Sequence, residues 1–235
     1  MSCNDDSRFE NNYRRRLENT SILFVGDSLT YQQSDELKCW LPWLNLSFIY
    51  KRHFFEAGKP SRHQTGPNPI NYSKEPDFFT SAREFDYLVL NTGHHIDVAS
   101  RLPNQINDTS LNIFYKTFTS LRTFLPKLDT TTVIWRTLSP RHYVSREWNQ
   151  NGTCVNTSEP GHFPAADLMN GYIVPIVNAF AREVFRDYHI LDVEEVSRSR
   201  GDAHCGTDCT HFIFPGPQHV WNMMLLDFIV EKLPK

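Results

Sequence analysis

The chain has 235 residues, with 24 Lys+Arg against 27 Asp+Glu and a hydrophobic fraction of 40%. That length suits one large α/β domain or two small ones, and the composition is globular rather than disordered. A near-neutral charge offers no cationic face for phosphates, and short apolar runs cannot span a bilayer, so nucleic-acid binders and membrane channels are excluded.

Residues 1–19 read as a polar leader, without the apolar stretch of a signal peptide. Residues 20–235 read as one domain, undivided by any repeat or low-complexity linker. The continuous apolar run at 21–25 (SILFV) predicts a central strand buried on both faces. After Gly26-Asp27-Ser28, the residues Leu37, Cys39, Trp40, Leu41 and Leu44 predict a helix interrupted at Pro42. Further strands are expected at Ser47–Lys51, Tyr87–Leu90, Thr132–Trp135 and Tyr188–Val193. Helical spacing of apolar residues runs from Leu111 to Leu125, ending at Pro126, and from Leu168 to Phe180, with a kink expected at Pro175. Pro217 opens a last helix carrying Val220, Trp221, Met224, Leu225 and Phe228. Strands alternating with helices predict a single three-layer α/β/α domain with a mostly parallel sheet. Segments 52–82 and 138–164 are Pro-, Gly- and His-bearing loops, long enough to be functional.

Three local patterns carry chemistry. In an open parallel sheet, ligands collect at the carboxyl ends of the strands. Strand–Gly26-Asp27-Ser28-Leu29–helix places a serine there, at a helix N-terminus that favours developing negative charge. The bland alternative is a strand-to-helix turn with Ser28 as its N-cap. Near the C-terminus, Asp208-Cys209-Thr210-His211 can place carboxylate and imidazole on one turn, orienting His211 as the base for Ser28. A surface Asp–His pair is the commoner use of that spacing. Asn91, in Asn91-Thr92-Gly93-His94-His95 after the third strand, is a candidate to donate to an oxyanion beside the Ser28 backbone N–H.

These blocks resemble the SGNH (GDSL) hydrolase superfamily, and more closely its PC-esterase branch, which includes the plant trichome birefringence-like polysaccharide O-acetyltransferases. The similarity extends through Arg136-Thr137-Leu138-Ser139-Pro140-Arg141-His142, Glu147-Trp148-Asn149-Gln150-Asn151-Gly152-Thr153-Cys154, Arg200-Gly201-Asp202-Ala203-His204, and Pro215-Gly216 with Trp221-Asn222. The resemblance implies a Ser28–His211–Asp208 triad that moves acyl groups, commonly acetyl, to or from carbohydrate hydroxyls through an acyl-enzyme. Its candidate oxyanion donors are Asn91 and, by loop position alone, Gly58. Three departures bear on substrate and disulfides rather than on the triad. Tyr31-Gln32-Gln33 stands where plant members read Arg-Asn-Gln, and Phe212 and Ile213 replace a tryptophan and a cysteine. The cysteine-rich N-terminal segment of the plant proteins is absent from this chain.

Arg136, Arg141 and His142 follow a strand and are candidates to bind donor or acceptor, with a salt-bridged loop as the alternative. Trp135 and Trp148 suit stacking on sugars, although core packing is their commoner use; His53, His63, His94 and His95 read as polar loop residues. His204, Cys205, Cys209 and His211 are metal-ligand types, but their spacing matches no common structural zinc pattern, so no metal is expected. No bound cofactor is expected, and the sequence names no acyl donor. Disulfides among Cys39, Cys154, Cys205 and Cys209 are favoured in any of three connectivities, leaving Cys3 as the odd thiol.

Six N-x-S/T sequons (Asn19, Asn45, Asn71, Asn107, Asn151, Asn156) compare with roughly 2.5 expected by chance from 17 Asn and 34 Ser+Thr. Asn19 abuts a strand and is expected to be occluded. Sequons and cysteines together point to the secretory pathway, Golgi lumen or outside, with the signal or anchor missing from this chain. A cytosolic protein with chance sequons and free thiols is the alternative. The expected partner is a carbohydrate or polysaccharide, not a nucleic acid. The competing functions are a pure acetylesterase and a glycan-binding module that keeps the fold without turnover.

Overall fold

Ser21–Gly26 forms β1, and all six of its residues are buried. β1 pairs in parallel with β2 (Asn45–Tyr50) on one edge and with β3 (Tyr87–Leu90) on the other. β4 (Thr132–Arg136) and β5 (His189–Leu191) extend the parallel sheet to the order β2-β1-β3-β4-β5. The structure is a computed structural model and describes residues 13–55, 70–95, 108–144, 151–155, 160–161 and 173–233. Its helices are α1 (described over 13–17), α2 (Ser28–Trp40), α3 (Phe79–Ala82), α4 (Asp108–Phe124), α5 (Ile173–Val184), α6 (Glu194–Arg198) and α7 (Pro217–Lys232). Parallel neighbours need a crossover that returns the chain to the same end of the sheet, which is why helices separate the strands.

Successive strand side chains point to opposite faces, and the two cores follow that alternation. Leu23, Val25, Leu88, Leu90, Val133 and Trp135 pack on one face against residues of α4 and α5 such as Phe118 and Val177. Ile22, Phe24, Tyr87, Val89, Ile134 and Leu191 pack on the other against Leu29 and Leu37 of α2 and Trp221 and Leu225 of α7. With both faces covered, the central strands must be apolar throughout, and the expected three-layer α/β/α domain results.

Several boundaries differ from expectation for physical reasons. β2 starts at Asn45 rather than Ser47, because an edge strand with exposed alternate residues has no continuous apolar run to mark it. α2 ends at Trp40, and the Leu41 N–H closes it on the Leu37 carbonyl at 2.9 Å. β5 stops at Leu191, since Asp192 turns away to accept from Arg182 and Thr137. α3 and α6 span four and five residues, too few for a periodic signal. The part of the third expected helix from Leu168 to Tyr172 lies outside the described residues.

Residues 13–17, which the sequence presents as part of a polar leader, lie against the domain. Leu17 is 1% exposed, the Tyr13 hydroxyl donates to Asp227 at 2.7 Å, and an Arg16 Nη2 donates to the Val230 carbonyl at 2.6 Å. Residues 13–17 therefore dock on α7 and belong to the folded unit. Polar composition hid this, because one apolar residue anchors the segment.

Gly26 closes β1 where strands crowd. A Cβ there would lie 2.3 Å from Thr30 Oγ1 and 2.6 Å from the Asn91 carbonyl oxygen. The Asn91 oxygen is backbone of the neighbouring strand's exit and cannot rotate away. Gly26→Ala is expected to cost about 1–3 kcal/mol of stability, read as a lower urea midpoint. An unchanged midpoint would show that the strand ends can part freely.

Candidate active site

The turn from β1 into α2 is built by Asp27. Its backbone is extended, its fully buried side chain accepts from the Leu29 N–H at 3.1 Å, and its carbonyl accepts from the Tyr31 N–H at 3.0 Å. An aspartate N-cap satisfies one of the helix's orphan donors and places negative charge at the positive end of its dipole. Capping thus falls to Asp27, and Ser28 is left as the first helical residue, half-buried, with its hydroxyl free of a capping role. Its own N–H has no intrahelical acceptor.

The Ser28 hydroxyl meets His211 Nε2 at 2.7 Å, and His211 Nδ1 meets Asp208 Oδ2 at 2.7 Å. The second Asp208 oxygen accepts from the backbone N–H groups of Thr210 and His211, both at 3.0 Å. One carboxylate therefore folds the turn and orients the imidazole together. Burial acts upward on Asp208, but the bonds from His211 and Thr210 outweigh it and hold the carboxyl below its usual range. The same hydrogen bond is the largest effect on His211; it exceeds burial and raises the imidazole above its ordinary 6.5.

The surroundings fix this turn. Cys209, fully buried, is disulfide-bonded to Cys154 across 55 residues of sequence. The Cys209 carbonyl accepts from the His142 N–H at 2.9 Å, and the Phe212 carbonyl accepts from Gln32 Nε2 of α2 at 3.1 Å. Gln218 of α7 donates onward to Gln32 at 3.0 Å, so the turn is pinned between both helices of its face.

Other candidates are placed differently. Asn91 is fully buried at the end of β3, and its amide donates to the Arg136 carbonyl at 2.9 Å and the Thr137 carbonyl at 3.4 Å. As placed, that amide links strand ends. Arg136 is 0% exposed: one Nη donates to Thr30 at 2.9 Å, and the guanidinium lies 4.9 Å from the Trp221 ring centre. Burial lowers its pKa to about 10, and Asp27 acts upward. It supports the nucleophile turn from behind, with no surface open to solvent. His142, also 0% exposed, is likewise no surface contact. Trp135 stacks on Phe185 at 4.3 Å within the core. Gly58, His63 and Trp148 lie outside the described residues.

The cysteines depart from expectation too. Cys205 is free and exposed, whereas Cys39 is disulfide-bonded. Among the described residues no group of three His, Cys, Asp or Glu is arranged to hold a metal. Asn19, Asn45, Asn71 and Asn151 are all exposed, so Asn19 is not occluded by the strand that follows it.

On the β3 side of His211 stand two histidines that the sequence presents as polar loop residues, and Arg52, to which it assigns no role. Gly93 adopts φ +151°, a conformation that favours glycine, and the chain then turns through His94 and His95. Burial, helped by Arg141, Arg136, His95 and His211, holds His94 well below its usual pKa. Burial also lowers His95; Asp27 opposes that, while Arg52, Arg141 and His211 add to it. Arg141 donates to the His94 carbonyl, and Arg52 is exposed beside them. The signal was the His-His pair after a strand end, which reads equally well as a polar loop.

A serine, histidine and aspartate joined at the carboxyl edge of a parallel α/β/α sheet is the arrangement of a serine-dependent acyl-ester enzyme. Residues 43–228 match the profile of the PC-Esterase family, described as a GDSL/SGNH-like acyl-esterase family found in Pmr5 and Cas1p. The chain belongs to that family and is an enzyme of the SGNH O-acetyltransferase or esterase type. It is 26% identical over 260 residues to protein trichome birefringence-like 38 of Arabidopsis thaliana, covering 91% of this chain and 67% of that one. Protein trichome birefringence-like 40 of the same plant is 25% identical over 267 residues, covering 91% and 70%. A solved crystal structure shares the fold at a TM-score of 0.54 and 10% identity, covering 93% of this chain and 100% of its own.

The paired electrostatics have a direct readout that needs no substrate. An NMR titration of His211 is expected to show a midpoint above 6.5. In Asp208→Asn that midpoint is expected to fall, because the carboxylate that favours the imidazolium is gone. An unchanged midpoint in the variant would separate the two residues electrostatically.

Proposed function

We propose that Ser28 carries acyl groups, acetyl foremost, to or from carbohydrate hydroxyls. The observation behind this is the continuous hydrogen-bonded line from Ser28 Oγ through His211 to Asp208, each link 2.7 Å. Ser28 Oγ bonds to the ester carbonyl carbon while its proton passes to His211 Nε2, and Asp208 stabilises the imidazolium. The departing sugar or donor oxygen takes that proton as the carbonyl re-forms, leaving an acyl-enzyme. A second hydroxyl then attacks the acyl carbon as its proton passes to His211; the bond to Ser28 Oγ breaks, His211 returns the proton to that oxygen, and the acyl group departs on the acceptor. The Ser28 N–H at the start of α2 supports the oxyanion, with the helix dipole behind it. Asn91 would join it only if its amide left the Arg136 and Thr137 carbonyls; Gly58 remains a candidate donor by loop position.

Carbohydrate as the substrate class rests on the family resemblance. Hydrolysis is the competing outcome, favoured by one observation: the Asp208 side chain is 52% exposed and that of His211 37%, so water reaches the triad. A sugar hydroxyl must outcompete that water. Disulfides at Cys39 and Cys154–Cys209 and four exposed sequons support a secretory-pathway or extracellular location. Among the described residues no helix is long and apolar enough to cross a membrane.

Turnover of an activated acetyl ester, with and without oligosaccharides, tests the proposal. Ser28→Ala is expected to lose about four orders of magnitude in kcat. The base must be neutral and Asp208 raises its pKa, so kcat/KM is expected to rise with pH through a midpoint above 6.5. Acetylated sugar as product marks a transferase, and free acetate alone an esterase. Equal turnover by Ser28→Ala would refute both.

A further inference from the structure

Two imidazoles that the proposed chemistry does not use lie directly behind His211. His142 Nε2 is 3.1 Å from the Arg198 carbonyl oxygen, and His204 Nδ1 is 2.6 Å from the His211 carbonyl oxygen. A carbonyl oxygen only accepts, so each of these nitrogens carries a proton. The two remaining nitrogens, His142 Nδ1 and His204 Nε2, face each other at 2.8 Å. A neutral imidazole has one N–H, and here both are already directed at carbonyls. Two neutral rings would therefore oppose lone pairs across that gap, and two imidazolium rings would oppose N–H groups. Only a pair holding one extra proton forms a hydrogen bond there.

We propose that His142 and His204 share a single proton, and that this singly charged pair fixes the backbone on both sides of Thr210 and so positions His211 against Ser28. The His142 backbone N–H holds the Cys209 carbonyl, and the His204 side chain holds the His211 carbonyl. Linking the rings makes these two attachments one clamp. Phe212 stiffens it, stacking on His204 at 4.6 Å and standing edge-on to His142 at 6.0 Å.

The charge has defined neighbours. Burial is the largest effect on each ring and opposes the proton; with all neighbours acting, the pKa of His142 is lowered to about 4 and that of His204 falls below its ordinary 6.5. The charge of His204 and then that of Arg198 of α6 oppose it at His142, and a charged His211 opposes it at His204, whereas the Arg198 and His211 carbonyls that accept from the two rings favour it. Asp202, from the turn after α6, favours the proton at both rings, and Asp208 favours it at His204. Arg198 is itself paired with Glu194 and Glu195, and Arg200 grips Asp202 through bonds of 2.9 and 3.0 Å. The clamp closes only between the two ionisations of the pair: raising the pH removes the shared proton, and lowering it adds a second. This role for the pair depends on His211 being the base for Ser28; the proton count does not.

The test uses the whole chain, isotopically labelled at its histidine nitrogens, followed by NMR from about pH 5 to about pH 9. Three N–H protons on the two rings over part of that range, one of them coupled to both rings and the third lost as the pH rises, is the expected result. Two N–H protons without coupling, or rings that titrate independently, would overturn the proposal. With an activated acetyl ester, His204→Ala is expected to lower kcat about tenfold with little change in KM. His204→Asn, whose amide can reach the same carbonyl, is expected to restore most of that loss. A His204→Ala protein with the kcat and pH profile of the unaltered chain would overturn the positioning role. If the unaltered chain turns over no ester, the acyl-transfer reading fails by itself. The clamp is then judged on the His211 N–H resonance, which should move in His204→Ala but not in His204→Asn, and no movement in His204→Ala overturns it.

Discussion

Everything at the site depends on β1 being paired along both edges and covered on both faces. A strand so enclosed has one direction in which to leave the sheet, and its exit lies beside β3, where the chain order of the sheet reverses. Gly26 lets the exit pass within contact of Thr30 and Asn91, and Asp27 caps the helix that follows. Ser28 is left with a fixed backbone and a hydroxyl that is free of capping and meets His211. The buried Arg136 behind it belongs to the same construction. A guanidinium out of water costs several kcal/mol unless compensated, and here Thr30, the Trp221 ring and the nearby Asp27 charge share that task.

The triad does not hold itself together. Asp208 and His211 are open to solvent, and an exposed pair of this kind contributes about 1 kcal/mol or less. The Cys154–Cys209 bond closes a loop of 55 residues, which corresponds to about 4 kcal/mol of chain entropy removed from the unfolded state. Gln32, Gln218 and the His142–His204 pair add attachments on the remaining sides. Geometry at Ser28 is therefore imposed by the frame around the turn, and the ion pair within it tunes protonation instead.

The sequence reveals the parts whose signal is local. Short apolar runs mark β1, β3 and β4, Gly26-Asp27-Ser28 marks a strand-to-helix turn, and Asp208 and His211 stand one turn apart. It misplaces residues whose role depends on burial. Arg136 and His142 follow a strand end, where a polar side chain can face either solvent or the interior of the next layer. Arg136 turns inward because Trp221 of α7, 85 positions later, supplies an aromatic face. Asn91 sits at the expected strand end, yet two carbonyls claim its amide. Cysteine pairing is likewise a long-range property: Cys205 and Cys209 are four residues apart, and only Cys209 points inward to meet Cys154.

The central claim is that Ser28 becomes covalently acylated, and trapping that intermediate tests it most directly. The chain is exposed briefly to an activated acetyl ester, quenched in acid, digested and mapped by mass spectrometry. The account predicts one acetyl group on the peptide containing Ser28, lost on a chase with water or acceptor sugar and absent from Ser28→Ala. Acetyl on another residue, with turnover intact in Ser28→Ala, would contradict it.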